Sequence, residues 1–294
     1  MVNFLKFWKV YLVISLSVII AGLASMGVWG FRMSIDFVGG TNLEYQFKPE
    51  VSSEQIKASV EKQGVSVVEM RDIPEGKSIR TKAIDEKQET KVRSALEKDL
   101  KTKITVLRSE TVGPVIGAET LRKTAIAAGL AVIGILLYVA YAFRNLNFAL
   151  AAITALFHDV LVVIGTYSIV SYFFGAELDT LFVTALLTTM SFSVHDTIVV
   201  FDQIRDYRKK GREGDIADFA NKALTDTMVR SLNNSMTIIF MLLALVLLGG
   251  STIRFFALTL LIGTITGTYS SPFVATPIAV WLEKSKSILF LSGR

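Results

Sequence analysis

Six long apolar runs constrain this chain more than any other feature of its sequence. A helix rises about 1.5 Å per residue, so roughly 20 apolar residues cross the hydrocarbon of a bilayer. Apolar residues make up 51% of the chain, which is too many for the polar surface of an ordinary soluble domain. We therefore expect a polytopic α-helical membrane protein with six transmembrane helices. The runs cover residues 11–31, 124–143, 148–173, 178–201, 228–248 and 255–281.

The first run follows Lys6 and Lys9, as the apolar region of a signal peptide does. In a signal peptide that region is usually only about 7 to 15 residues long. We therefore expect an uncleaved membrane anchor.

Residues 32–119, between the first and second runs, contain 15 basic and 15 acidic residues and no apolar run of spanning length. Their pattern predicts a small α+β domain exposed to water. Strand-like segments are expected at 41–47, 65–70 and 104–109. Helices are expected at 53–63, opened by Ser52 or Ser53, and at 85–100, opened by an Asp.

A basic segment near 203–227 separates the fourth and fifth runs. Ile216, Phe219, Ala223 and Leu224 recur at helical spacing there, which predicts an amphipathic helix on the membrane surface.

Lysine and arginine in short loops predict the orientation, since cytoplasmic loops retain positive charge. A cytoplasmic N-terminus leaves only Arg254 in the opposite short loops, although Arg122 and Lys123 at the end of the long domain are a small contrary signal. We expect residues 1–31 to be a cytoplasmic N-terminus and first helix, 32–119 extracytoplasmic, 120–283 the other five helices, and 284–294 a cytoplasmic tail. The cytoplasmic charges are Lys6, Lys9, Arg144, Arg205, Arg208, Lys209, Lys210, Arg212, Lys222, Arg230, Lys284, Lys286 and Arg294.

Ionisable residues inside the apolar runs are the candidate functional groups. A charge at the centre of a bilayer costs at least about 2.5 to 3.5 kcal/mol, so it tends to face protein or water and to have a function. His158-Asp159 lies in the third run and His195-Asp196 in the fourth. Asp196 lies about 12 Å from the cytoplasmic end, too deep for a short carboxylate to reach the interface.

Helical spacing places Thr189, Ser193, Asp196 and Gln203 on one stripe of the fourth run. If this stripe meets the start of the fifth run, Asp196 can pair with Arg230, and protonation of the carboxylate would break the pair. Two simpler interpretations stay open. Arg230 can reach the interface instead, and His158 can be a neutral packing residue.

Other chemistries find little support in the sequence. The chain contains no cysteine and only two histidines, and these lack the spacing of a zinc signature. Neither a nucleophile elbow nor a phosphate-binding glycine loop occurs. We expect no enzymatic activity, cofactor or metal, and no nucleic-acid partner, because the positive charge lies in membrane loops. The spacing of Gly263 and Gly267 indicates close helix packing.

Several motifs resemble the SecF family, the smaller membrane subunits of bacterial SecDF export complexes. Ile-Asp-Phe-Val-Gly-Gly-Thr, with Asp36, Gly39 and Gly40, is similar to the family's entry into its periplasmic domain. The two glycines permit a tight turn before the first strand. Val-Gly-Pro-Val-Ile-Gly-Ala-Glu at 112–119, with Gly113 and Pro114, resembles the element before the second span. Further matches follow in family order at 157–160, 196–205, 230–233 and 267–271.

This resemblance implies a six-helix half of a resistance-nodulation-division type bundle, paired with a homologous SecD half in the bacterial inner membrane. It implies the SecYEG channel, exported polypeptides and protons as partners, with YajC as a further candidate. It also implies that the proton-motive force assists export, through Asp196 and Arg230.

The chain departs from the family pattern at two positions. His195 replaces a residue that is more often Asn or Asp, and Gln203 replaces a common Arg. A histidine titrates near pH 6.5, so His195 either joins a proton path or only replaces an amide as hydrogen-bond partner. His158, Asp159 and His195 are therefore weaker proton-coupling candidates than Asp196. Two other functions stay open, a proton-coupled exporter of small molecules or lipids and a structural clamp of a channel complex.

Overall fold

The computed structural model describes residues 3–73, 75–143, 145–210 and 215–292. Arg144, Arg212 and Arg294 of the predicted orientation pattern lie outside these ranges. The chain forms two compact units. A membrane unit extends to Arg32 and resumes at Ala127, and an outer unit comprises Met33–Ile126.

Six helices in the described ranges are long and apolar enough to cross a membrane, which confirms the predicted fold class. They exceed the apolar runs at several ends because a helix continues into water while its backbone hydrogen bonds stay satisfied. The third span is the most buried of the six. In order, the spans are Phe4–Val28, Pro114–Phe143, Leu146–Phe174, Thr180–Lys209, Ile216–Leu248 and Thr252–Ser285.

Two spans are not uniform α-helices. The first opens with a 3-10 turn, Phe4–Phe7, before the α-helix Trp8–Val28. The sixth consists of an α-helix, Ser251–Ser270, a π-helical turn, Ser271–Ala275, and a second α-helix, Thr276–Ser292. Pro272 lies in that turn and has no N–H to donate, so the regular ladder is interrupted there.

The amphipathic segment predicted near 203–227 is not a separate surface helix. Residues up to Lys209 continue the fourth span, and Ile216 begins the fifth. The apolar positions Phe219, Ala223 and Leu224 are buried in the membrane unit, because they pack in the same core cluster as the third and fourth spans.

Polar contacts bring several chain segments to one end of the membrane unit. The backbone N–H of Leu5 donates to Asn221 Oδ1 at 3.2 Å. Glu283 accepts from Asn145 at 2.8 Å and pairs with Arg208 at 3.3 Å. The N-terminus therefore shares an end with the connection after the second span and with the final helix.

The outer unit is built on β1 (Gly40–Lys48), α1 (Ser53–Lys62), β2 (Val67–Ile73), β3 (Gly76–Thr81), α2 (Glu86–Leu100) and β4 (Lys103–Val112). The sheet is antiparallel with the order β2-β3-β1-β4. This βαββαβ arrangement is ferredoxin-like. Ser52 and Asp85 cap the two helices, as the sequence predicts.

Strand β3 was not predicted, because Lys77, Ser78 and Arg80 make it too polar to stand out as a strand. Its central Ile79 nevertheless joins Leu43 and Tyr45 in the core beneath the helices. The Tyr45 hydroxyl donates to Glu89 at 2.5 Å. Burial and this hydrogen bond raise the pKa of Tyr45 above its ordinary value.

Two further strands, Arg32–Met33 and Glu177–Leu178, and a helix, Ile35–Val38, complete the elements.

Candidate functional site

Asp196 lies on the fourth span with its side chain only 13% exposed. Its Oδ2 accepts a hydrogen bond from Ser231 Oγ of the fifth span at 2.8 Å. His195 Nδ1 is 3.7 Å from Asp196 Oδ1, and the imidazole itself is 70% exposed. The carboxylate thus faces the fifth span, while the neighbouring imidazole is largely exposed.

Arg230 does not pair with Asp196 in this conformation. Its side chain is exposed, and no ion pair joins the two among the described residues. Successive residues of an α-helix are rotated by about 100°, so Ser231 faces the fourth span and Arg230 lies on the adjoining face. The hydroxyl of Ser231 occupies the place that we predicted for the guanidinium.

A small cleft opens beside Asp196, between the fourth, fifth and sixth spans. One hydrogen bond crosses this region, from Thr268 Oγ1 to Ser235 Oγ at 2.7 Å. Six of the nine residues that line the cleft have polar side chains, so it can hold water next to the carboxylate. Its lining comprises Phe192, His195, Asp196, Asn234, Ser235, Ile238, Thr264, Gly267 and Thr268.

His158 and Asp159 form a second, more deeply buried site. The two side chains are only 8% and 6% exposed, and His158 Nδ1 is 2.8 Å from Asp159 Oδ1. Asp159 Oδ2 accepts hydrogen bonds from Ser193 of the fourth span at 2.5 Å and Ser270 of the sixth at 2.7 Å. Asp159 thus joins three spans through one carboxylate.

Small residues let the fourth and sixth spans approach closely. A Cβ atom on Gly263 would lie 2.2 Å from Thr189 Cγ2, and one on Gly267 would lie 3.2 Å from Ser193 Cα. Thr197 and Ser271 share a hydrogen bond at 2.9 Å one turn further along. These contacts support the packing role predicted for Gly263 and Gly267.

The double-glycine motif occupies a turn in the outer unit. Ser34 caps the helix Ile35–Val38 by accepting from Asp36 N, and Gly39 follows with a φ of 73°. A Cβ on Gly39 would lie 2.7 Å from Pro114 Cα. Gly113 is the residue directly before Pro114 in the chain. Gly39 therefore meets both a conformational and a steric demand, and Gly40 with a φ of 128° begins β1.

Sequence reasoning missed the hydroxyl residues that contact the two carboxylates, notably Ser231 and Ser270. Serine inside an apolar run carries no cost signal comparable to that of a charge, because its hydroxyl can bond the preceding turn of its own helix. The consecutive residues Ser270, Ser271 and Pro272 could have indicated an irregular turn within the sixth span.

Comparisons with known proteins identify the chain's relatives. A family model described as "Protein export membrane protein SecD/SecF, C-terminal" matches residues 92–285, and one described as "SecD/SecF GG Motif" matches residues 24–51. Protein translocase subunit SecF of Thermobaculum terrenum is 39% identical, over 97% of this chain and 95% of its own length. SecF of Anaerolinea thermophila is 37% identical, over 96% and 94%.

A solved relative extends the comparison to structure. The crystal structure of SecDF from Thermus thermophilus, described as a translocon-associated membrane protein, matches with a TM-score of 0.84 at 32% identity. The match covers 96% of this chain and 39% of that chain. SecDF in a super-membrane-facing form matches with a TM-score of 0.67 at 29% identity, over 100% and 40%.

The fold and these relatives define a multi-pass subunit of the inner membrane that serves protein export. The chain belongs to the SecF family, and its role is that of an accessory subunit of Sec protein export. Because its SecDF relatives are longer chains, they indicate a SecD partner. The relatives are named as translocase subunits.

Proposed function

We propose that this subunit couples inward proton movement to protein export and that Asp196 is the proton-binding group. The supporting observation is the position of Asp196, nearly buried within a span yet bordering a cleft with several polar residues in its lining. A carboxylate in such a place can change charge only if protons reach it, and the cleft offers a route for water.

Asp196 alternates in this proposal between a charged and a protonated state. The charged form attracts Arg230, and protonation removes that attraction and biases the packing of the fourth and fifth spans. Ser231 holds the carboxylate in the described conformation. Pairing with Arg230 belongs to a second arrangement, in which the fifth span turns by about one residue. His195 has an auxiliary role beside Asp196.

A SecD-like subunit covers the exposed polar face of the fourth and fifth spans. This face carries His195, Arg230, Asn233 and Asn234, all exposed in the isolated chain. Exposure of such groups to lipid is costly, so protein rather than lipid is the expected neighbour. The complex acts with SecYEG and exported polypeptides, in keeping with the solved relative described as translocon-associated. YajC stays a further candidate partner.

Both termini are cytoplasmic in this proposal, residues 32–119 are extracytoplasmic, and 284–294 form a cytoplasmic tail. Two observations support it. The N-terminal turn, Arg208 and Glu283 lie at one end of the membrane unit, which is rich in positive charge. Near the opposite end, Trp29 stacks on Tyr172 at 4.5 Å, as aromatic residues do at a membrane interface.

Export into inner-membrane vesicles tests the coupling. Asp196→Asn, assembled with its SecD partner, is expected to lose the part of export that an uncoupler abolishes in the wild type. Asp202→Asn is the matched control, because Asp202 lies on the same helix, is exposed and pairs with Arg205 at 2.6 Å. Full proton-dependent export by assembled Asp196→Asn would exclude the proposal.

A further inference from the structure

The His158–Asp159 pair is a buried titratable site that proton binding at Asp196 leaves unused. Asp159 has three partners, His158, Ser193 and Ser270. Among the described residues no lysine or arginine pairs with it. An ionised carboxylate here is satisfied by hydrogen bonds but lacks a compensating positive charge, and burial without one is costly.

The hydrogen bonds constrain the tautomer of His158. Ser193 and Ser270 both donate to Oδ2, and His158 Nδ1 shares the remaining bond with Oδ1; when Asp159 is ionised, Nδ1 supplies the N–H. The tautomer of a histidine follows from the bond that one ring nitrogen makes. His158 Nε2 is then an acceptor, and it is buried with no hydrogen-bond partner among the described residues. In this ionised state the pair carries one net negative charge and one open proton position.

Ser193 connects this pair to the Asp196 cleft. It donates to Asp159 and precedes Asp196 by three residues, about one helical turn. Gly267 lines the cleft and packs directly against Ser193. Ser193 therefore contacts the buried carboxylate and lies one helical turn from the carboxylate at the cleft.

We propose that His158 and Asp159 form a second proton-binding site, in series with Asp196, which takes up one proton at His158 Nε2. The proton adds to the nitrogen lone pair, no other bond is made or broken, and the net charge of the pair changes from −1 to 0. The role of this second site in export rests on the function proposed above. Proton binding at the site does not depend on that function.

Proton uptake reaches the sixth span through Asp159. When His158 is protonated, the imidazolium attracts the Asp159 carboxylate, which also accepts hydrogen bonds from Ser193 and Ser270. Ser270 directly precedes the π-helical turn of the sixth span. Among the described residues, Tyr269 is a further titratable side chain beside the pair, with its ring centroid 6.4 Å from that of His158. Its hydroxyl donates to the carbonyl oxygen of Tyr11 at 3.0 Å. The first, third, fourth and sixth spans thus meet around one proton site.

Nitrogen NMR of the histidines tests the proposal directly, because the chain contains only two of them. The full subunit, labelled with 15N-histidine and assembled with its SecD partner in a bilayer, is titrated between about pH 5 and 8, the range in which histidine changes charge. His195→Asn removes the second signal and leaves His158 assigned. We expect the Nδ1–H tautomer at high pH and an imidazolium at low pH.

Asp159→Asn is the diagnostic variant. It keeps a side chain of the same size but removes the anion, and we expect His158 to stay neutral over the whole range. Asp202→Asn should leave the His158 titration unchanged. A neutral His158 throughout the range in the wild type, or an Nε2–H tautomer at high pH, would overturn the proposal.

A separate measurement of proton flux tests whether the pair takes part in transport. Asp159→Asn and His158→Gln are each expected to lower proton flux through the assembled complex at least about tenfold, and unchanged flux in both would remove the pair from the path. If instead Asp196→Asn keeps full proton-dependent export while His158 titrates as expected, the proposed function fails and the proton site remains.

Discussion

The contact between Ser231 and Asp196 shows how a neutral side chain can set the geometry of a carboxylate within a span. Ser231 brings a donor to within 2.8 Å of Oδ2 from the neighbouring span. A hydrogen bond to a charged group contributes about 1.5 to 3 kcal/mol. Its loss would let the carboxylate turn toward the cleft.

Ser231→Ala is therefore expected to lower proton flux about tenfold, since about 1.4 kcal/mol corresponds to a factor of ten. Ser231→Thr keeps the hydroxyl and should retain most of the flux. Both variants are compared in proteoliposomes after copurification with SecD has established assembly. Equal flux from the two would show that the hydroxyl has no positioning role.

Single residues also show where sequence reasoning succeeds and where it fails. Asp196 and Asp159 stand out because a charge within an apolar run is costly, and the structure places both near polar partners. The partners themselves depend on which helix faces meet. A shift of one residue along the fifth span exchanges Arg230 for Ser231, and no pattern in a single sequence fixes that register.

At the scale of elements, close contact between the first and third spans depends on two glycines. A Cβ on Gly22 would lie 2.8 Å from Gly165 Cα, while one on Gly27 of the same helix would meet nothing within 4 Å. Ser25 and Ser168 share a buried hydrogen bond at 2.9 Å beside this contact. The sequence predicts the glycine seam of the sixth span, but it does not reveal that Gly22 faces Gly165, since the two are far apart in the chain.

Gly22→Ala is expected to destabilise the membrane unit by about 1 to 3 kcal/mol, the usual cost of overpacking. Gly27→Ala makes the same chemical change on the same helix in open space and should alter stability by less than about 0.5 kcal/mol. Thermal unfolding in detergent measures both. Equal effects of the two changes would contradict the assigned contact.

At the scale of the whole molecule, the isolated chain exposes polar side chains within its spans, where the hydrocarbon of a bilayer offers them no hydrogen-bond partners. The fourth and fifth spans present His195, Arg230 and Asn233 outward, whereas the first span exposes mainly apolar residues such as Val13 and Ile20. The first kind of surface suits a protein neighbour and the second suits lipid.

The absence of cysteine from the sequence makes this difference testable. Asn233→Cys is expected to form a cross-link with cysteines placed on the spans of the SecD partner, while Val13→Cys should not. Gel mobility after mild oxidation in membranes gives the yield. Efficient cross-linking only at position 13 would place the partner on the other side of the bundle.

Proton flux through the purified complex measures whether Asp196 carries the protons. Proteoliposomes containing this subunit and its SecD partner are given a pH gradient, and internal pH is followed with a fluorescent dye. We predict that Asp196→Asn reduces the flux to that of empty liposomes, while Asp202→Asn stays at the wild-type rate. Wild-type flux through an assembled Asp196→Asn complex would show that another group carries the protons.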